Sequence, residues 1–185
     1  MLTQSQLIER ISKALGKVKV LELTQILWEE QYVLHDLIDL TFYADRDIAF
    51  RAAWLLENVF LQDPEAYLTD LAYLIKRFTE VKYPSCQRHY AKIIMHITST
   101  KSPQSIKNEL HKINLEPIIE QLFEWMIDPK VKIAVKVFAS EALFNMRDRY
   151  NWIAEELANQ IQFLMRNGTM AIQTRGRKIL KLLNN

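Results

Sequence analysis

Residues 128–146 read DPKVKIAVKVFASEALFNM. An Asp-Pro turn is followed by Val135-Lys136, Ala139 and Leu143, so a basic residue stands inside an apolar run at helical spacing. The same device opens the first third of the chain. In residues 45–59, DRDIAFRAAWLLENV, Phe50-Arg51 follows Asp45, with Trp54 where Ala139 stands in the later stretch and Asn58 where Leu143 stands. Arg88 is followed by Ala91 and Met95, and Ile172-Gln173 by Gly176 and Leu180. Taking Arg51, Arg88, Lys136 and Gln173 as equivalent positions, the spacings are 37, 48 and 37 residues.

Between these anchors the apolar residues keep a helical period almost throughout: Leu7, Ile8, Ile11 and Leu15; Leu68, Leu71, Ile75 and Phe78; Ile153, Leu157, Ile161 and Leu164. Boundary residues agree. Thr3 and Gln6 form a capping-box pair, Asp63-Pro64 and Tyr83-Pro84 open helices, and Asn167-Gly168 closes one. The pattern predicts helices near 3–15, 19–30, 32–42, 46–61, 64–79, 84–98, 103–112, 115–127, 130–146, 149–166 and 169–183. Their short connections predict antiparallel hairpins. With only 3 glycines and 5 prolines, the chain is poor in the tight turns that a β-sandwich or barrel requires.

The Asp-Pro turn, the Val-basic pair, the alanine three residues on and the leucine four beyond resemble the second helix of a HEAT repeat. The resemblance covers the third unit well and the others in part; the fourth carries Gln173 at the basic anchor. It implies an all-α fold, an α-α superhelix of about four HEAT-like hairpins, right-handed, acting as an interaction module. Such repeats run ~40–47 residues, so the outer units are compact and the middle one is long. Its excess, TKSPQSIKNELHKIN at 100–114, reads as a polar inserted helix, and residues 1–30 as an N-terminal cap on a single 1–185 domain.

At 185 residues, 49% hydrophobic and 25% charged, the chain is long enough to bury its own core. The lone Cys86 excludes an intrachain disulfide and any multi-cysteine zinc module, and fits a reducing compartment. The first twenty residues lack a signal-peptide core and no stretch approaches the ~20 apolar residues of a membrane span. A cytoplasmic protein that does not engage membranes is expected. The net charge of +2 is unevenly spread: residues 1–70 hold 6 Lys/Arg and 12 Asp/Glu, a net of −6, and residues 71–185 a net of +8.

This asymmetry points to an acidic partner for the basic part. In HEAT-like units the second helices line the concave side, which makes Arg51, Trp54, Arg88, Lys92, Lys132, Lys136, Arg175 and Arg177 the candidate partner-binding residues. A structural bond from Arg51 to a nearby aspartate is the simpler expectation for that residue. A protein or peptide is the expected partner. The alternative is a nucleic acid, with the HEAT-like alkylpurine DNA glycosylases as a sharper form of it, resting on Trp54 seven residues after Asp47 and on Trp125 before Asp128.

No P-loop, dinucleotide fingerprint, G-x-S-x-G or H-E-x-x-H sequence is present. A small all-helical lyase ranks third, because the serine-rich signature loop of the fumarase, aspartase and adenylosuccinate lyase superfamily is absent. Cys86, His89 and His96 share helical spacing that suggests a metal constellation, but neither a His-x-x-x-His pair nor a nearby glutamate completes it. No catalytic, cofactor-binding or metal-ligating residue is assigned, and no cofactor is implied. Asp45 and Asp47 read as capping residues.

Overall fold

A computed structural model describes residues 2–14 and 16–184. Leu15, the last member of the first apolar stripe, lies outside the described residues. Within them the chain forms α1 (Gln4–Lys13), α2 (Gly16–Glu29), α3 (Leu34–Leu40), α4 (Arg46–Gln62), α5 (Leu71–Phe78), α6 (Pro84–Ile97), α7 (Gln104–Lys112), α8 (Glu116–Ile127), α9 (Ile133–Asn145), α10 (Trp152–Met165) and α11 (Met170–Leu183). No strand occurs among the described residues, and none of their helices is long and apolar enough to cross a membrane.

Local chemistry sets the ends. The Gln6 amide donates to the Thr3 hydroxyl at 3.3 Å and the Thr3 amide to the Gln6 side chain at 2.9 Å, a complete capping box. Asp45 accepts from the amides of Asp47 and Ile48 and starts α4. Pro84 occupies the first turn of α6, where its missing N–H costs nothing. One predicted helix, 64–79, is divided. Pro64–Asp70 is 3₁₀ and leaves helical geometry at Tyr67 (φ −115°, ψ 25°) before α5 begins. The Tyr67 ring stacks 5.9 Å from Phe60 and its hydroxyl lies 2.7 Å from that of Tyr32, tertiary contacts that override the helical period.

The helices form two layers. In one, α2, α4, α6, α9 and α11 pack each against the next. In the other, α1 packs on α3, α3 on α5 and α8 on α10, while Phe78 of α5 meets Trp125 of α8 at 4.8 Å. The consecutive helices α3 and α4, α8 and α9, and α10 and α11 pack on one another, and Phe78 of α5 meets Tyr90 of α6 at 6.2 Å. The polar helix α7 lies between α6 and α8 in sequence and packs on the 3₁₀ segment.

A continuous apolar cluster runs from Leu2 to Ile179. Its largest fully buried side chains include Tyr90, Phe60 and Phe78, each stabilising by roughly 1.5–3 kcal/mol. Helix α9 is central, flanked by α6, α8, α10 and α11, and buries Ala139, Ser140 and Ala142, small residues that let its neighbours approach closely.

Candidate functional site

The solvent stripe of α6 carries Arg88, Lys92 and His96, four residues apart and therefore on one side of the helix. Arg88 is exposed and has no carboxylate partner among the described residues. Lys92 donates to Glu57 of α4, a carboxylate only 6% exposed. The other Glu57 oxygen accepts from Nδ1 of His89 at 2.7 Å, and His89 is 1% exposed. Phe50 and Trp54 flank this imidazole, with ring centroids 5.5 and 6.3 Å away. Burial pushes the Glu57 carboxyl upward, but the bonds from His89 and Lys92 outweigh it and hold the group below the ordinary carboxylate range. His89 Nε2 is buried without a hydrogen-bond partner among the described residues. The unit ties α4 to α6 and fixes Trp54 and Lys92.

Two of the four recurrent anchors bond to helix ends. Arg51 donates to the Ser12 carbonyl at 2.9 Å, in the last turn of α1. That replaces the expected aspartate partner, for a physical reason: the terminal carbonyls of a helix lack intrahelical donors and lie at the negative end of its dipole. Gln173 likewise donates to the Met165 carbonyl, the last residue of α10. Lys136 is withdrawn from the surface at 5% exposure, between Met126, Ile161 and Ile172, and burial lowers its ammonium pKa while Asp128 opposes the shift.

The remaining candidates separate. Lys132 is exposed at the N-cap of α9. Arg175 forms an ion pair with Glu141 of α9. Arg177 is exposed, but two residues along a helix is a rotation of roughly 200°, so it points away from the Arg175 side. Arg88, Lys92, Trp54 and Arg175 thus belong to the face formed by α4, α6, α9 and α11, whereas Arg51, Lys136, Lys132 and Arg177 are engaged, buried or set apart.

Between α6 and α11, above α9, lies a trough of about 370 Å³. Met95, Phe144, Ile179 and Leu182 give it apolar walls, and Lys101, Lys178 and His96 stand at its polar edge. Lys101 and Lys178 are exposed and have no carboxylate partner among the described residues, while Glu141 on the same lining is held by Arg175. Partial burial, with Lys92 nearby, holds the His96 imidazole below the ordinary histidine value. A hollow of about 170 Å³ shares His96, Ser99 and Lys101 and extends the depression toward Leu61 at the end of α4.

The suggested metal constellation does not assemble. Cys86 is buried with its sulfur 3.7 Å from the Thr41 carbonyl, His89 is committed to Glu57, and His96 borders the trough. Burial pushes the Cys86 thiol up to about 11, which removes it as a nucleophile near neutrality. Trp125 is a core residue at 4% exposure.

A family model described as a HEAT repeat domain matches residues 7–183. The chain belongs to the HEAT-repeat family. Comparison with curated proteins and with solved structures found no match. Within this HEAT-repeat chain the spacing of 48 residues between the second and third anchors corresponds to α7, residues 104–112, placed between two hairpins. Glu57 and the trough residues Lys101, Phe144 and Leu182 were not singled out by sequence reasoning. The one signal for Glu57 is a lone acid within the apolar run AAWLLENVF.

Proposed function

We propose that this HEAT-repeat chain is a non-enzymatic interaction module that binds an acidic segment of a protein partner on the face formed by α4, α6, α9 and α11, its concave side. HEAT repeats act generally as protein-interaction scaffolds, built from a broad preformed surface. The observation that carries the finer reading is a charge imbalance. Glu57 and Glu141, the carboxylates between these helices, are each taken by an internal cation, whereas Arg88, Lys101 and Lys178 have none among the described residues. Such a surface attracts carboxylates, and a partly buried Trp54 beside it supplies an aromatic anchor.

Fluorescence anisotropy with a labelled twelve-residue Asp/Glu peptide tests this reading, with a labelled DNA duplex as the second arm. Peptide binding that weakens with salt and disappears in the Arg88→Glu/Lys101→Glu/Lys178→Glu variant is the expected result. No peptide binding at low salt, or tighter binding of the duplex with a steep salt slope, overturns it, and the latter outcome favours a nucleic-acid partner.

A further inference from the structure

We infer that the trough between α6 and α11 is an anchor site for one large apolar side chain flanked by carboxylates in an acidic partner peptide. The inference rests on the acidic-partner reading and adds the chemistry of the residue that seats there. At about 370 Å³ the trough is at the small end of the ~300–1,000 Å³ of ligand pockets, too small for a folded element and large enough for an apolar side chain with part of its backbone.

Its walls select that side chain. Phe144 and Met95 are half-buried, Ile179 is 2% exposed, and Leu182 remains 44% exposed. Desolvating such walls is the part of binding that acidic residues alone do not provide. The rim selects the flanks. Lys178 on α11 and Lys101 after α6 stand on the trough lining without carboxylate partners among the described residues, so an occupant with acids on either side of its anchor completes both.

The negative end of α6, which also borders the site, is already masked. The Asn145 amide donates to the Met95 carbonyl at 3.0 Å, and the Thr98 hydroxyl to the Ile94 carbonyl at 2.7 Å. Glu141 is masked by Arg175. The unbalanced charge at the trough is therefore positive. Lys101 also borders the adjoining hollow toward Leu61, which gives an extended peptide a continuous path beyond the anchor.

Two labelled twelve-residue Asp/Glu peptides, one with a single central Phe and one with Ser in its place, provide the test by anisotropy. The Phe peptide is expected to bind about tenfold more tightly. Leu182→Asp is expected to erase that difference and Lys178→Glu to weaken the Phe peptide about tenfold, while Lys132→Glu, set apart from this face, leaves the difference between the peptides unchanged. These positions are exposed or partly exposed, and unchanged circular dichroism confirms that each variant folds. Equal binding of the two peptides, or a Phe preference that survives Leu182→Asp, overturns the anchor site and leaves the acidic-partner reading standing. Binding of neither peptide overturns both.

Discussion

Replacing Glu57 by leucine removes the carboxylate that joins α4 to α6. Glu57 is 6% exposed and accepts from His89 at 2.7 Å and from Lys92. Without it, His89 has no acceptor for Nδ1, and Nε2 already has no partner among the described residues. A buried imidazole with neither nitrogen satisfied costs about 1–3 kcal/mol. Lys92, with 30% of its side chain exposed, turns toward water and recovers most of its hydration. Loss of a buried ionic contact of this kind brings the expected total to roughly 2–4 kcal/mol, below the upper end for fully buried pairs because of that release. With a urea slope near 2 kcal/mol/M for a chain of this size, the midpoint falls by roughly 1–2 M. Urea titration followed by tryptophan fluorescence measures it, Trp54 being stacked on the affected imidazole. Adding His89→Leu removes the stranded group, so the double variant is expected to be at least about 1 kcal/mol more stable than additivity gives. A Glu57→Leu variant within about 0.5 kcal/mol of the parent, or strict additivity, refutes a coupled buried network.

The same carboxylate sets a pH dependence. Its folded value lies below its unfolded one, so its contribution is present above the ordinary carboxylate pKa and is lost as pH falls through the folded value. Stability measured from pH 6 to pH 3 is expected to fall less steeply in Glu57→Gln than in the parent. Lys136→Met is expected to stabilise by about 0.5–1 kcal/mol in thermal unfolding, because it relieves a desolvated ammonium at 5% exposure while keeping the buried stem. Gly176→Ala places a methyl group 2.5 Å from Met165 Sδ and 2.9 Å from Ile161 Cγ2 and is expected to cost about 1–2 kcal/mol by chemical denaturation. Arg51→Ala frees the Ser12 carbonyl and is expected to raise hydrogen exchange in α1 with a global cost of only ~0.5–1 kcal/mol.

The helical layout was legible because each boundary carries its own chemistry: Thr3 with Gln6, Asp45 before α4, Pro84 in the first turn of α6. The 3₁₀ break at Tyr67 was not, since it depends on a stack with Phe60 of the preceding helix and on a contact with Tyr32, which is distant in sequence. The repeat anchors fall on α4, α6, α9 and α11, but Arg51 bonds to a carbonyl and not to the expected aspartate. Arg51 and Gln173 bond to main-chain carbonyls, whose positions depend on how one helix end abuts another. Cation counting along the chain likewise put Lys136 and Arg175 with Arg88, although the first is buried and the second already paired. Which charges are neutralised internally is a property of packing between layers. The trough illustrates the same point: Met95, Phe144 and Leu182 come from three helices and share no local pattern.

The central claim is that the face formed by α4, α6, α9 and α11 receives an acidic segment. Amide and side-chain NMR shifts of the labelled chain, followed during titration with an unlabelled twelve-residue Asp/Glu peptide containing one Phe, test it most directly. Perturbations concentrated on Arg88, Lys92, His96, Lys101, Lys178 and Leu182 are expected, with the layer of α1, α3, α5, α8 and α10 unchanged. Perturbations confined to that second layer, or none at millimolar peptide, contradict the claim.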